Sequence, residues 1–248
     1  SQFRTKDDEL LDLVLILDAL VTGVGHANRR ILDEAAADPK LHGMGTTVVA
    51  LGLIDVADGV ALGAINVGDS RMYRLTGNVL EQLTEDHSLV EALVREGRIT
   101  AAEAKVHPQR NIVTRALGVI EHVEVDSFHF VPKIGDRYLL CSDGLFNEVD
   151  ANTIATILAT EADPEAATQK LIAAANEGGG RDNITTVIAD VVAAEDASMP
   201  SKAQALASLA VVDEGDPTNE QVAIIIEDKA EDDAVELAVP KQRWSWRR

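Results

Sequence analysis

Asp136-Arg137-Tyr138-Leu139-Leu140-Cys141-Ser142-Asp143-Gly144-Leu145 is the segment around which the chain is read. Tyr138 to Ser142 is a short, mostly apolar run, the signature of a buried strand. It ends on an acid followed by glycine. An aspartate at that point stands where the sheet stops, and the glycine lets the backbone turn and lets a ligand approach. The pattern recurs twice. Val60 to Asn66 runs into Gly68-Asp69-Ser70, and Gly178-Gly179-Gly180-Arg181-Asp182-Asn183 opens into the apolar run Ile184 to Val192. One Asp beside Gly is most simply a turn former. Three at strand ends, from distant parts of the chain, point to a shared site for a hard divalent cation such as Mg²⁺ or Mn²⁺. Asp69, Asp143 and Asp182 are the candidate ligands.

The composition narrows the function. The chain has 248 residues, 46% of them hydrophobic and 3% aromatic, so Val, Ile, Leu and Ala must build the core. A formal charge of −20 argues against a nucleic-acid partner, which needs a basic face. The single cysteine, Cys141, has no partner for an internal disulfide and lies in the apolar strand. It reads as a buried, inert thiol rather than a nucleophile. The first apolar run, Leu10 to Val21, carries Asp12 and Asp18 and is too short to span a bilayer.

Residues 7 to 36 carry apolar positions at helical spacing, with breaks at Gly23 and Gly25, and predict one long helix or two. His26 reads as a surface or packing residue. Strands are expected over Thr46 to Ile54, Val60 to Asn66, Met72 to Leu75 and Val79 to Leu83, the last two joined by a Thr76-Gly77-Asn78 hairpin turn. Such hairpins imply antiparallel sheet. Residues 86 to 118 turn helical, with a further short helix expected over Ile112 to Leu117 and with His87 and His107 as cap or surface residues. Val123 to Val131 alternates as a strand. Asp150 is placed to cap one helix, and Asp163-Pro164 to open another. Asn183 to Val192 is the closing strand.

From Glu195 to Val239 twelve acids stand against two lysines, and large apolar residues are few, which predicts a disordered tail. Lys241, Arg243, Arg247 and Arg248 alternate with Trp244 and Trp246 at the end, a composition suited to the cytoplasmic side of a membrane. The expected organisation is a folded domain over 1–193, an acidic tail over 194–240 and a basic terminal segment over 241–248.

Six motifs in order resemble one family: Gly45-Thr46-Thr47, Asn66-Val67-Gly68-Asp69-Ser70-Arg71, Asp86-His87-Ser88, His107-Pro108-Gln109-Arg110, Leu140-Cys141-Ser142-Asp143-Gly144 and Gly180-Arg181-Asp182-Asn183. Together, over residues 20 to 192, they are similar to the bacterial metal-dependent Ser/Thr protein phosphatases of type 2C. The resemblance implies an α+β fold, a four-layer α-β-β-α sandwich of two antiparallel sheets flanked by helices. It implies two catalytic Mn²⁺ or Mg²⁺ ions held in part by Asp143 and Asp182, and a third, weaker site that includes Asp69. It implies hydrolysis of phosphoserine and phosphothreonine on proteins by a metal-activated water, counteracting Ser/Thr kinases, in a monomeric cytoplasmic protein or the cytosolic part of a membrane-anchored one. Partners would be phosphorylated proteins, among them kinases and their substrates. No side chain of this chain is then itself the nucleophile.

The chain departs from the family pattern at its start. The phosphate-gripping Arg and the Asp-Gly-Met-Gly-Gly-His motif, whose Asp bridges both metals, do not occur in residues 1–248. The domain therefore reads as lacking its first strands. A phosphatase-like binding or regulatory module without activity is the alternative reading.

Overall fold

The computed structural model describes residues 6–56 and 59–192. The acidic and basic segments expected over 194–248 lie outside the described residues. Alternating apolar positions build two antiparallel sheets. In the first, β1 (Val48–Val56) and β2 (Gly59–Val67) form a hairpin from Val48↔Val67 to Val56↔Gly59, and β5 (Asp126–Phe130) lies on the other side of β2. In the second, β3 (Arg71–Thr76) sits between β4 (Val79–Gln82) and β6 (Arg137–Cys141), and β7 (Thr186–Asp190) adds to β6. Gly77 makes the β3–β4 turn at φ +60°, a conformation that glycine adopts without strain.

The two-residue period of each strand divides its side chains between two cores. Ala64, Met72 and Leu140, with Val49, Leu51, Phe128, Phe130 and Val187, fill the space between the sheets. The neighbouring positions point outward. Ile65 and Val67 meet Leu20, Val24 and Ile31 of helix α1 (Lys6–Ala37). Tyr73, Leu139 and Cys141 meet Ile154 and Leu158 of α5 (Ala151–Thr160) and Leu171, Ile172 and Ala175 of α6 (Pro164–Gly178). The layers therefore run helix, sheet, sheet, helix, as the family pattern implies.

α1 is continuous through Gly23 and Gly25. A glycine inside a helix costs about 1 kcal/mol relative to alanine. The apolar stripe of Leu20, Val24 and Ile31, buried on the first sheet, keeps the helix in one piece. Asn28, fully buried on that stripe, donates from Nδ2 to the carbonyls of Ile120 and Glu121 at 2.9 and 3.1 Å and accepts from Gly118 N–H at 2.7 Å. It pins the loop after residue 117 against the helix. Asp150 caps α5 through Asn152 and Thr153, and Asp163 caps α6 with Pro164 in its first turn.

Between β4 and β5 the chain makes α2 (Leu89–Arg95) and α3 (Ala101–Val106), capped by Ser88 and by a Thr100–Glu103 capping box. The helix expected over 112–117 is absent. Val113 bridges to Ser88 and Leu117 to Thr46, and Arg115 reaches out to Asp126 at 2.6 Å. These non-local bonds hold the segment extended. β5 and β7 are shorter than expected, beginning at Asp126 and Thr186, and β6 is shifted back by one residue, to end at Cys141. Asp143 opens a short helix, α4 (Asp143–Phe146).

Candidate metal centre

Strand register gathers the three aspartates. β3 begins where β6 ends, at the pair Arg71↔Cys141, and β7 begins at Cys141↔Thr186. Asp69 lies two residues before that line, Asp143 two residues beyond it and Asp182 four residues before it, all at one end of the second sheet. Side-chain bonds tie the loops together. Ser142 Oγ donates to the Asn183 carbonyl and accepts from Thr185 N–H, both at 3.0 Å. Thr47 and Ser70 share a hydroxyl–hydroxyl bond of 2.8 Å. Arg181 makes a two-pronged pair with Glu148, both bonds 2.8 Å, anchoring the glycine-rich loop to the turn that follows α4.

Two glycines are required by close approach. Gly68 has φ +112°, and a Cβ there would lie 2.2 Å from Thr47 Cγ2. A Cβ on Gly144 would lie 2.3 Å from the Asn183 carbonyl oxygen. Only glycine lets the Asp69 turn and the start of α4 sit this close to their neighbours.

The electrostatics suit a cation. Burial, reinforced by the Asp143 carboxylate, pushes the Asp69 carboxyl up from 3.8 to about 6. Burial and the Asp182 carboxylate raise Asp143 as well. Arg71, the half-buried cation two residues from Asp69, is already engaged. Its guanidinium grips Asp86 with Nε and NH2 at 2.6 to 3.0 Å, donates to the Tyr73 hydroxyl at 3.0 Å and lies 3.6 Å over the Phe146 ring. Carboxylates crowded together without a dedicated cation are held at a free-energy cost that a divalent ion would relieve. Their donors are all oxygens, the set that hard cations prefer. Among the described residues no three His, Cys, Asp or Glu side chains form a cage that could hold an ion. The arrangement fits an ion held by one or two carboxylates and completed by water, the habit of Mg²⁺-type sites.

The expected minor residues fall out differently. Cys141 is fully buried, and burial pushes its thiol up to about 12, so it is inert as anticipated. His26 is exposed. His107 ends α3, and its Nδ1 accepts from Gln109 N–H at 3.1 Å, a capping role. His87 is neither cap nor surface residue. It is 8% exposed, and its ring bonds to Gly68 and Asp126, while the cap of α2 is Ser88. The Arg71–Asp86 pair went unread in the sequence. Its only local signal was an arginine starting a strand and an acid beside a histidine after the next one, and neither says that the two meet.

No family model matches the chain. Individual proteins do. It is 44% identical over 181 residues to the serine/threonine protein phosphatase PstP of Mycobacterium tuberculosis, covering 73% of this chain and 34% of that protein. It is 42% identical over 167 residues to the serine/threonine phosphatase stp of Listeria monocytogenes, covering 67% of this chain and 65% of that protein. The crystal structure of the PstP catalytic domain in complex with two manganese ions superposes with a TM-score of 0.63 at 41% identity, covering 71% of this chain and 72% of that one. The chain thus spans about a third of PstP and just under two thirds of the Listeria protein. With that identity and that share of a solved catalytic domain, the chain belongs to the bacterial PPM-type Ser/Thr protein phosphatases.

Proposed function

We propose that the chain takes part in metal-dependent hydrolysis of phosphoserine and phosphothreonine on proteins, with Asp69, Asp143 and Asp182 as the metal-holding residues. The observation that carries this is the gathering of three aspartates at one end of the second sheet, with Asp69 raised by burial and the Asp143 charge, and Asp143 raised by burial and the Asp182 charge. A divalent cation bound there supplies a water of lowered pKa and neutralises phosphoryl oxygens. The chain's own residues do the rest. Asp86 occupies Arg71 and keeps it from neutralising the rim. Ser142 fixes the spacing of the Asp143 and Asp182 loops. Cys141, buried beneath, takes no part.

Mn²⁺ or Mg²⁺ is the cofactor this reading requires, and phosphoproteins made by Ser/Thr kinases are its substrates. The manganese ions in the related PstP structure support the first, and the names of the relatives support the second. The inactive alternative has no comparable support.

The test is release of phosphate from a phosphothreonine peptide with and without Mn²⁺. Because Asp-Gly-Met-Gly-Gly-His does not occur in residues 1–248, the assay is run on this chain and on the same chain extended by a segment carrying that motif. Mn²⁺-dependent release by the extended chain, abolished by EDTA and by Asp143→Asn, is expected. Absence of Mn²⁺-dependent release from both chains would sink the reading.

A further inference from the structure

The turn that carries Asp69 is held from outside by one residue. Gly68 N–H donates to His87 Nδ1 at 2.9 Å, and the His87 backbone N–H donates to the Gly68 carbonyl at 3.0 Å. The two residues exchange bonds across the turn. The Gly68 carbonyl belongs to the same peptide as Asp69 N–H, so fixing the one aims the other.

The proton positions on the ring follow. A backbone N–H only donates, so Nδ1 is the acceptor and carries no proton. Nε2 then carries the proton and donates to Asp126 Oδ2 at 3.0 Å. Arg115 NH1 lies 2.8 Å from Nε2, but two donors cannot bond each other; its acceptor is Asp126 Oδ1 at 2.6 Å. The Asp126 carboxyl is held below its ordinary value: burial acts the other way, and the hydrogen bonds from His87 and Arg115 outweigh it. The result is a line from Asp126 through the imidazole to the Gly68 amide. The carboxylate fixes the tautomer, and the tautomer presents a lone pair to the turn. His87 also joins the turn to the segment before Asp126, since its carbonyl accepts from Thr114 N–H at 2.7 Å and Leu89 N–H donates to the Ile112 carbonyl at 2.9 Å.

We infer that His87 is a positioning residue for the Asp69 carboxylate, acting through the Gly68 peptide, and that its Nδ1 lone pair sets the affinity of any divalent ion that Asp69 helps to hold. The inference rests on the metal reading above. His87 touches neither substrate nor ion. It orients a ligand-bearing backbone, as outer partners of metal ligands do, where such losses cost about 10- to 100-fold in affinity.

Two substitutions separate the ring nitrogens. In His87→Asn the amide oxygen stands near the place of Nδ1 and accepts from Gly68, while the link to Asp126 is lost. In His87→Gln the amide stands near the place of Nε2, keeps Asp126 and leaves the Gly68 N–H without its acceptor. The readouts are an Mn²⁺ titration followed by electron paramagnetic resonance and, in metal-free protein, deuterium exchange at the Gly68 amide. The Mn²⁺ binding that counts is the part removed by Asp69→Asn. Expected is an affinity loss of about 10-fold or more for His87→Gln, with His87→Asn within about threefold of wild type. Faster exchange at Gly68 is expected in the Gln variant alone. Unchanged affinity and unchanged exchange in His87→Gln would overturn the proposal. So would equal losses in both variants with equal falls in melting temperature, which would mark a role in folding only. Wild-type protein that binds no Mn²⁺ would remove the metal reading, and Gly68 exchange in the two variants would then decide whether His87 positions the turn.

Discussion

Arg71 and Asp86 meet as a two-pronged pair at the start of β3, two residues after Asp69, with the Asp86 side chain 7% exposed and that of Arg71 24% exposed. Burial alone would weaken the arginine's charge, and the bonds it donates to Asp86 more than restore it. Removing one member of a buried pair costs about 3–5 kcal/mol, and the partial exposure of Arg71 reduces this to about 2–3 kcal/mol. Asp86→Ala should therefore lower the melting temperature by about 5–10 °C for a domain of this size. It should also free Arg71 to turn toward Asp69 and Asp143 and weaken Mn²⁺ binding. Thermal melts with and without Mn²⁺ check both effects.

Asp69 gives the metal-free protein a pH dependence of definite sign. Its carboxyl titrates near 6 in the fold, against an ordinary 3.8. The folded state then binds the proton more tightly than the unfolded chain does, so this group's contribution to stability declines as pH rises from about 4 to about 6. Asp69→Asn removes the ionisation. Relative to wild type in EDTA, the variant should gain stability between pH 4 and pH 7, measured by urea unfolding at each pH. A constant difference across that range would contradict the assignment.

Cys141 should resist alkylation. With its thiol pushed up to about 12 by burial, it has almost no thiolate at pH 8. Iodoacetamide should leave the native protein unmodified and label it once in urea, as read by mass spectrometry. Rapid labelling without denaturant would mean that the second-sheet core opens readily.

Asn28 anchors the loop after residue 117 through three hydrogen bonds made from a fully buried side chain. Asn28→Ala leaves one donor and two acceptors of the loop backbone without that partner, each costing about 1–3 kcal/mol if it stays buried. A loss of about 2–4 kcal/mol is expected. The urea midpoint measures it.

The sheets were legible in the sequence because their signals are local. The hairpin at Gly77, the caps at Asp150 and Asp163, and the apolar run at Tyr138 each follow from a few neighbouring residues. The candidate aspartates stand out by their loops: Asp69 and Asp143 each sit beside a glycine after an apolar run, and Asp182 sits between a glycine run and the apolar run that follows. What failed was non-local. Ile112 to Leu117 has helical composition, yet Ser88, Thr46 and Asp126 hold it extended. Nothing in the sequence marks Asn28, and His87 reads as a cap or surface residue, because their partners at Gly118 and Gly68 lie 90 and 19 positions away. Polar residues buried through distant backbone groups leave no periodic trace.

Mn²⁺ binding to wild type and to Asp143→Asn, titrated side by side near pH 7.5, tests the metal centre most directly. Asp143 is coupled by charge to both of the others: its carboxylate raises Asp69, and the Asp182 carboxylate raises it. Its loss should weaken Mn²⁺ binding by about 100-fold or more, at least the upper end of what losing a mere orienting partner costs, while the melting temperature in EDTA holds or rises. Equal Mn²⁺ affinity in the two proteins would contradict the account.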